Sequence, residues 1–370
     1  IRGVSASSDA ITVANDGTCS ANITNNGGGQ LNNRNMVING AMMVNQRYGD
    51  SADTPSDGEY TMDRWQAWMS TGSKFSVQRS SDSPDDFEKS LLVTSLSAAT
   101  VTANHEHGIT TKLEGQNIQR LALGTSSAKS VTLSFYVKCS LTGTFGGLVG
   151  NSALNMSYIF SYTVNSANTW ERKTITIPPT TSGTFLSGTG NGLQVHFELG
   201  VGSNRTAAVG WQTNTAVRGV NSQVNLIATN AATWRMTGLQ LEAGTTATDF
   251  EHKSFEQELA LCQRYYQRHT DGNGNPVCEN ATMYNSSTVF MSIPLPVVMR
   301  AAPSLETVNN SGYFIKYENN GSTTFSTLGR DGITQAHLVC LNGVVSGTAG
   351  SAVMVRANNT ATFVAFSAEL

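Results

Sequence analysis

The amino-acid sequence predicts a mainly β protein with an N-terminal stalk segment, a β-sandwich or jelly roll, one linking α-helix and a smaller C-terminal β-sandwich. Apolar and polar side chains alternate with period two in many short segments, and Gly, Asn and Ser separate these segments. Clear helical periodicity occurs in one stretch only. Charged residues make up 13% of the 370 residues, about half of the usual share, and 35 residues are glycine. The polar surface must therefore consist mainly of Ser, Thr, Asn and Gly.

The first 34 residues predict the stalk segment. They contain few large apolar side chains, and Asp16-Gly17 is typical of the turn of a short hairpin between residues 10–13 and 20–23. Because such a segment cannot build a core alone, we expect it to fold with neighbouring chains, as in an intertwined fibre shaft. The opening residues Ile1-Arg2-Gly3 do not predict a signal peptide, and we expect the chain to be the C-terminal part of a longer polypeptide.

Residues 35–250 predict the two-sheet sandwich or jelly roll. Alternating segments are typical of antiparallel strands that bury one face. The clearest apolar members are Val131, Leu133, Phe135, Val137, Met156, Tyr158, Phe160, Tyr162, Leu193, Val195, Phe197 and Leu199. After Trp234 the parity shifts at Gly238, and a β-bulge there would return Leu239 and Leu241 to the core face.

Residues 251–270 predict the linking helix between the two β regions. Ser254 and Gln257 have the spacing of a capping box at a helix start. One apolar stripe follows at helical spacing, formed by Phe255, Leu259, Cys262 and Tyr266. A stretch rich in Gly and Asn at 270–276 ends the helix.

Residues 271–370 predict the smaller C-terminal β domain. Apolar residues alternate with polar ones from Val289 to Val297. Pro294 and Pro296 fall on the opposite parity and lack a backbone N–H donor, so they suit an edge strand.

Composition and cysteine spacing exclude several functional classes. A net charge of -3 with 23 Lys and Arg argues against a protein that neutralises nucleic-acid phosphates. No run of about 18 apolar residues predicts a membrane-spanning helix. The five cysteines are far apart and odd in number, so we expect free thiols in a chain that folds inside a reducing cell. A pairing of Cys262 with Cys278 across one loop is the alternative.

Several motifs resemble those of a module found in bacteriophage tail-fibre and related virion proteins. The motifs are Asn35-Met36-Val37-Ile38-Asn39-Gly40-Ala41-Met42, Gln46-Arg47, Tyr60-Thr61-Met62-Asp63-Arg64-Trp65, Thr169-Trp170-Glu171-Arg172, Ile175-Thr176-Ile177-Pro178, Leu239-Gln240-Leu241-Glu242-Ala243-Gly244, Ala247-Thr248-Asp249-Phe250-Glu251, Leu261-Cys262-Gln263-Arg264-Tyr265-Tyr266, Met299-Arg300-Ala301-Ala302-Pro303 and Ala368-Glu369-Leu370. The resemblance covers roughly residues 35–370.

The resemblance implies a galactose-binding-like jelly roll in a homotrimeric tail fibre or receptor-binding protein. Such a protein folds in the host cytoplasm, becomes part of the virion and recognises host surface glycans without catalysis. It implies no cofactor, and its preceding portion would bind other virion tail proteins. Two alternatives stay open: a structural head fibre, collar or decoration protein, and a polysaccharide-degrading tailspike.

Two tryptophans are the candidate glycan contacts. The sequence around Trp68 and Trp211 indicates a core position less clearly than the sequence around the other tryptophans does. Gln212 and Asn214 follow Trp211 in the chain. An exposed indole stacks on the C–H groups of a sugar, while amides bond its hydroxyls. Burial is the competing interpretation, because tryptophans are highly buried on average. We predict core positions for Trp65 and Trp234 and a structural role for Trp170.

His105-Glu106-His107 is a possible metal motif. On a strand the two imidazoles would share one face, and three copies on a trimer axis would offer six nitrogen ligands. Because the motif lies in the jelly-roll region and not in a narrow shaft, we predict an exposed strand face and no metal. We also predict no catalytic residue, since the acidic run at 85–88 suits a solvated loop and no Gly-x-Ser-x-Gly motif occurs.

Overall fold

The structure is a computed structural model that describes residues 11–13, 19–21 and 33–370. In the predicted stalk segment, two short strands pair antiparallel with Ile11 opposite Ala21. The predicted turn at Asp16-Gly17 and the remainder of that segment up to residue 32 lie outside the described residues. The rest of the chain is mainly β, as the sequence predicts.

Sixteen strands precede the linking helix. They are β1 (Ile11–Val13), β2 (Cys19–Ala21), β3 (Tyr60–Met62), β4 (Trp65–Met69), β5 (Phe75–Ser80), β6 (Ser90–Ser95), β7 (Glu106–Glu114), β8 (Val131–Cys139), β9 (Gly143–Gly150), β10 (Ser157–Val164), β11 (Glu171–Ile177), β12 (Asn191–Val201), β13 (Thr206–Ala207), β14 (Gly210–Gln212), β15 (Gly219–Val220) and β16 (Thr233–Ala243).

Two short α-helices, ten further strands and three 3-10 turns at Gln119–Leu121, Ser203–Arg205 and Leu226–Ala228 complete the described elements. The helices are α1 (Gly115–Ile118) and α2 (Phe255–Gln263). The strands are β17 (Tyr266–Asp271), β18 (Pro276–Asn285), β19 (Thr288–Pro294), β20 (Ser304–Thr307), β21 (Phe314–Glu318), β22 (Gly321–Phe325), β23 (Leu328–Arg330), β24 (Leu338–Val344), β25 (Ala352–Ala357) and β26 (Phe363–Ser367). No helix among the described residues is long and apolar enough to span a membrane.

Two antiparallel sheets form the predicted jelly-roll sandwich. One has the strand order β14-β10-β9-β12-β7-β4-β3, and the other has the order β11-β8-β16-β6-β5. The alternating apolar residues of both sheets meet in one core. Phe197 of β12 lies at its centre, with ring centroids 5.0 Å from Phe135, 5.8 Å from Phe160 and 5.6 Å from Trp234. The core positions predicted for Trp65 and Trp234 are confirmed, because both side chains are fully buried.

The β-bulge predicted at Gly238 is also confirmed. β16 slips its register against β8 at this point, and Gly238 has a φ of 64°. The slip returns Leu239 and Leu241 to the core, where both are fully buried. A glycine suits the site because this φ lies in the left-handed region that L side chains rarely adopt.

The C-terminal residues form the smaller second sandwich. Its larger sheet has the order β22-β21-β25-β18-β19-β24-β23, and we call it the C-terminal sheet. A three-stranded sheet with the order β17-β26-β20 covers one face of it, and Phe314, Val355 and Phe366 pack in the shared core.

The edge strand predicted from Pro294 and Pro296 is wrong. β19 lies inside the C-terminal sheet, between β18 and β24. Pro294 is the last residue of β19, opposite Leu338, and Pro296 lies beyond the strand. A proline at the end of a strand ends the ladder without interrupting it, so the strand itself can be central.

The linking helix is shorter than the predicted segment 251–270. The predicted capping box is present: the Ser254 hydroxyl accepts from the backbone N–H of Gln257, and the Gln257 side chain accepts from the backbone N–H of Ser254. Tyr266 does not belong to α2. It begins β17, because its backbone pairs with Ser367 of the last strand.

The buried side of α2 differs from the predicted apolar stripe. Phe255 is 47% exposed, whereas Glu258 and Cys262 are buried. The Glu258 carboxylate accepts a hydrogen bond from the backbone N–H of Asn39 in the jelly roll. The helix therefore contacts the jelly roll partly through a polar group. Cys262 and Cys278 are both free thiols, so the alternative pairing is not formed.

A buried cluster of arginines and tyrosines joins the jelly roll to the C-terminal sandwich. Arg64 pairs with the Glu369 carboxylate, and its guanidinium lies 3.5 Å from the ring centroid of Tyr265. Arg47 lies 3.6 Å from the ring centroid of Tyr266 and contacts Glu369 at 3.6 Å. Burial is the largest influence on the pKa of Arg64 and would lower it, but Glu369 together with Tyr265, Tyr60 and Cys262 raises that pKa above its ordinary value. We call these five residues the junction cluster.

The C-terminal residue and a second ion pair extend this contact. The Leu370 carbonyl accepts hydrogen bonds from the Tyr60 hydroxyl at 2.7 Å and from Lys112 Nζ at 2.6 Å. Glu114 at the end of β7 accepts two hydrogen bonds from Arg264, at 2.8 and 2.9 Å. Such bidentate pairs are geometrically specific. The last residues of the chain are therefore anchored on the jelly roll.

Candidate functional site

One face of the C-terminal sheet is exposed. Along β25, Val353 and Val355 are buried in the core, whereas Ala352 and Met354, which alternate with them, are exposed. The same alternation occurs in β18, where Thr282 is exposed. Since successive side chains of a strand point to opposite faces, the exposed residues of all these strands share one surface.

Cross-strand pairs align the side chains of this surface in two rows that are offset by two residues in β25. In the first row, Tyr317 of β21 lies opposite Ser322 on one side and Met354 on the other. In the second row, Thr282 of β18 lies opposite Ala352 and Phe290, and Phe290 lies opposite Asn342. Adjacent strands are about 4.8 Å apart, so the two rows together cross six strands, or roughly 24 Å. We call this surface the polar–aromatic face; its residues are Ser322, Tyr317, Met354, Thr282, Phe290, Asn342 and the neighbouring Tyr284.

Large side chains on this face are unusually accessible. Tyr284 is 68% exposed, Met354 is 39% exposed and Tyr317 is 38% exposed. Tyr317 and Met354 border a cleft of about 600 Å³. Its polar lining residues are Glu279, Asn280, Thr282, Glu318, Asn319, Asn320 and Ser322. A volume of this size lies within the usual range of small-ligand sites, about 300–1,000 Å³.

The turn that carries two of these amides is firmly held. Asn319 and Asn320 connect β21 to β22 with φ values of 47° and 62°, the left-handed pair typical of a tight hairpin turn. The Glu318 side chain beside them pairs with Lys316 and accepts from the backbone N–H of Thr348 at 2.9 Å. The hydrogen bond from Lys316, followed by that from Thr348, lowers the pKa of Glu318 to about 2. These contacts fix the direction in which the turn presents its amides.

A bulge in β18 supplies the opposite wall of the cleft. The register of β18 against β25 shifts between Cys278 and Ala281, and both Glu279 and Asn280 are exposed there. Glu279 pairs with Arg356 at 3.1 Å. The cleft therefore combines an aromatic ring, amides that both donate and accept, and a carboxylate that accepts. This set can stack on the C–H groups of a sugar ring and hydrogen-bond its hydroxyls.

The two tryptophans predicted as glycan contacts lie elsewhere, and both are half-buried. Trp68 of β4 is on the outer face of the seven-stranded jelly-roll sheet, edge-on to His196, with the Arg218 guanidinium 5.9 Å from its ring centroid. Trp211 lies on the edge strand β14 against Tyr158, and its indole N–H donates to the Pro178 carbonyl at 3.0 Å. The structure does not bring the two tryptophans together with the polar–aromatic face into one site.

Buried ionisable groups lie beside Trp68. Burial, followed by the charge of Glu106, raises the pKa of Glu198 to about 8. Burial, followed by the charge of Arg218, lowers the pKa of His196 to about 3. Within residues 33–370, neither carboxylate oxygen of Glu198 has a hydrogen-bond partner. Glu106 instead pairs with Arg218 at 3.1 Å. At neutral pH both Glu198 and His196 are therefore mostly uncharged.

Replacing Glu198 by glutamine is expected to remove part of the pH dependence of stability. Because the folded-state pKa is raised, the contribution of Glu198 is complete below about pH 4.5 and is lost as pH rises through about 8. Each pKa unit corresponds to about 1.4 kcal/mol. As pH rises from about 4.5 to about 8, the unchanged protein should therefore lose stability relative to Glu198→Gln, and the difference between their free energies of unfolding should grow steadily. Urea unfolding near pH 5 and near pH 8 measures it.

Glu256→Gln is the matched control, because Glu256 is exposed on α2. Its unfolding free energy should follow that of the unchanged protein at both pH values. Parallel pH curves for Glu198→Gln and the unchanged protein would show that Glu198 is charged in the folded state.

The predicted His105-Glu106-His107 strand face is not exposed. His105 precedes β7, whereas His107 is fully buried and its Nε2 lies 3.0 Å from the Thr71 hydroxyl. Burial is the main cause that lowers the pKa of His107 to about 4. Among residues 33–370, no three His, Cys, Asp or Glu side chains are grouped as metal ligands.

No protein-family model and no curated protein matches the chain. Among solved structures, the enzymatically active domain of tailspike protein 4 of bacteriophage CBA120 is 13% identical, with a TM-score of 0.31; the match covers 56% of this chain and 21% of that one. The family 11 carbohydrate-binding module of a Clostridium thermocellum cellulosomal cellulase is 15% identical, with a TM-score of 0.29, and the match covers 55% and 98% of the two chains.

A putative sugar binding protein from Bacteroides thetaiotaomicron is 8% identical, with a TM-score of 0.34, and that match covers 57% of this chain and all of the other, 100%. Scores this low transfer neither a ligand nor an activity to this chain.

Proposed function

We propose that this chain is the non-enzymatic, glycan-binding part of a bacteriophage tail fibre or receptor-binding protein, and that it acts as a homotrimer on the virion. The polar–aromatic face is the observation that carries the proposal. It carries the rings of Tyr317, Tyr284 and Phe290 on a surface that crosses six strands, roughly 24 Å, long enough to contact several units of an extended polysaccharide. Amides and hydroxyls accompany these rings on the same surface.

The composition of the chain supports a neutral mode of recognition. Only 13% of the residues are charged, so hydrogen bonds and stacking must dominate over long-range attraction. Such a surface binds almost independently of salt, because few ion pairs are screened. Three copies of a weak site in one trimer would raise the overall avidity without any new contact.

Replacing Tyr284 and Tyr317 together by alanine is expected to weaken glycan binding by about tenfold or more, since each lost ring contact is worth about 1 kcal/mol. The probes are purified capsular polysaccharide and lipopolysaccharide from candidate bacterial hosts, and the measurement is biolayer interferometry. Both rings are exposed, so the melting temperature of the variant should stay close to that of the unchanged protein.

Tyr48→Ala is the matched control. Tyr48 is 37% exposed, close to the value of Tyr317, but it lies in the jelly roll. This variant should bind glycans as well as the unchanged protein does. Equal affinity of the Tyr284/Tyr317 variant and the unchanged protein would remove the polar–aromatic face from the proposal. Shortening of the polysaccharide during incubation would identify a tailspike enzyme, and absence of binding to every host glycan would favour a structural virion component.

A further inference from the structure

A cluster of four rings lies on the outer face of the five-stranded jelly-roll sheet. Phe87 is at its centre, with ring centroids 5.3 Å from Tyr136, 5.1 Å from Phe250 and 5.1 Å from His252. Phe87, Tyr136 and Phe250 are half-buried, and His252 is exposed. Tyr136 points outward because its neighbours in β8 fill the sandwich core. We call these four residues the Phe87 cluster.

Two local features hold the cluster in place. The bulge at Gly238 leaves room for the central ring, since a Cβ there would lie 2.7 Å from the Phe87 ring. The loop that carries Phe87 is fastened by Asp82, which accepts hydrogen bonds from Lys138 at 2.9 Å and from the Trp170 indole at 3.1 Å. The rings are therefore prearranged on the sheet before any ligand arrives.

A cleft of about 440 Å³ lies beside the rings. Its charged lining residues are Asp86, Arg172 and Asp249, and all three are exposed. Arg172 donates to the Thr248 carbonyl at 2.5 Å, a contact that restrains its guanidinium. The cleft thus presents ring faces, two carboxylates and one guanidinium within one concave surface.

We propose that this cleft is a second glycan-binding site and that it takes a neutral sugar unit. This inference rests on the proposed function, because it assumes that the protein meets glycans. Ring faces of Tyr136 and Phe250 stack on the C–H groups of the sugar. The carboxylates of Asp86 and Asp249 accept hydrogen bonds from its hydroxyls, while the Arg172 guanidinium donates to its oxygens.

The charges of the cleft select against acidic sugars. Two carboxylates and one guanidinium line the cleft, and one N–H group of Arg172 is already bonded to the Thr248 carbonyl. The carboxylate of a uronic or sialic acid would come close to Asp86 or Asp249, and like charges at short range repel each other. A hydroxyl-rich neutral unit satisfies the acceptors without this repulsion.

The stoichiometry of binding tests the second site. The probe is a neutral hexasaccharide, selected as the tightest binder in an array of bacterial surface oligosaccharides, and it is titrated into the full chain by isothermal calorimetry. We expect two sites per chain. The variant Arg172→Ala/Phe250→Ala should keep one site, Tyr284→Ala/Tyr317→Ala should keep the other, and the fourfold variant should keep neither.

Each contrary result has a distinct meaning. One site per chain, lost in Tyr284→Ala/Tyr317→Ala and unchanged in Arg172→Ala/Phe250→Ala, overturns the second site and leaves the proposed function intact. Tighter binding of a glucuronate-containing hexasaccharide to the cleft overturns the neutral assignment. No binding at either site overturns the proposed function as well. Circular dichroism confirms that the Phe250 variant is folded, and Arg172→Ala alone, at an exposed residue, repeats the test without a change to any ring.

Discussion

Replacing Glu369 by alanine is expected to lower the free energy of unfolding by about 3–5 kcal/mol, the usual cost of removing one partner from a buried ion pair. Arg64 is 1% exposed, and without Glu369 its guanidinium remains buried with no carboxylate beside it. Arg47 loses a contact of 3.6 Å at the same time. Urea unfolding at neutral pH, followed by tryptophan fluorescence, gives the change directly.

Two further variants separate charge from shape in this experiment. Glu369→Gln keeps the size of the side chain and removes its charge, so it should lose most of the same free energy. Glu256→Ala removes an exposed carboxylate and should change the free energy of unfolding by less than about 0.5 kcal/mol. A Glu369→Ala protein as stable as the unchanged one would mean that water compensates Arg64 and that the junction cluster does not hold the two sandwiches together.

The junction cluster also explains which structural feature the motifs of the tail-fibre resemblance determine. Arg47, Arg64, Tyr265, Tyr266 and Glu369 all belong to the motifs that carry the resemblance. In the structure they pack the jelly roll against the C-terminal sandwich. Motifs of this kind determine how two parts of a chain pack against each other. They do not determine which residues occupy an exposed face. The resemblance therefore predicts an architecture more firmly than a ligand.

Local patterns in the sequence predict a large share of the fold. The alternation around Phe197 predicts a strand, and the parity shift at Gly238 predicts a bulge; both are present. The single buried face predicted for this strand is wrong, because the polar residues His196 and Glu198 of β12 are buried too. The capping box of Ser254 and Gln257 likewise marks the helix start. In each case the signal lies within a few residues of the feature, so no knowledge of distant partners is needed.

Features that depend on distant partners were not predictable in this way. Tyr266 continues the helical stripe in sequence, yet its pairing with Ser367 at the other end of the C-terminal region makes it a strand residue. Pro294 suggests an edge strand, but β19 is central because β24 pairs with it along its whole length. Strand neighbours separated by many residues override a local preference.

The polar–aromatic face is hidden from the sequence for a related reason. Tyr317, Met354 and Thr282 come from three strands that only the sheet order brings together. In β21 the burial is also the reverse of what side-chain polarity suggests, because the charged Lys316 is buried while the aromatic Tyr317 is exposed. The usable signal was Met354, a large apolar residue whose neighbours in β25 already occupy the buried parity. Tryptophan alone was a poor guide, since Trp68 is half-buried under Arg218.

Replacing Phe197 by alanine is expected to lower the free energy of unfolding by about 3–5 kcal/mol, the range observed when a large aromatic side chain is removed from a core. Its ring is fully buried between the two jelly-roll sheets, where it contacts Phe135, Phe160 and Trp234. Rings from both sheets surround the position, and their backbones are held by cross-strand hydrogen bonds, so the cavity cannot collapse fully.

The conservative variant Phe197→Leu distinguishes this cavity effect from a general sensitivity of β12. Leucine restores most of the volume, so the loss should fall to roughly 1–2 kcal/mol. Phe290→Ala, at a half-buried ring of the C-terminal sheet, should also cost less than Phe197→Ala because its site borders solvent. If Phe197→Ala cost no more than Phe290→Ala in urea unfolding, the aromatic centre would not be the part of the sandwich that fixes its stability. A larger loss in Phe197→Ala than in either of the other two variants would show that ring packing between the two jelly-roll sheets contributes strongly to the stability of this sandwich.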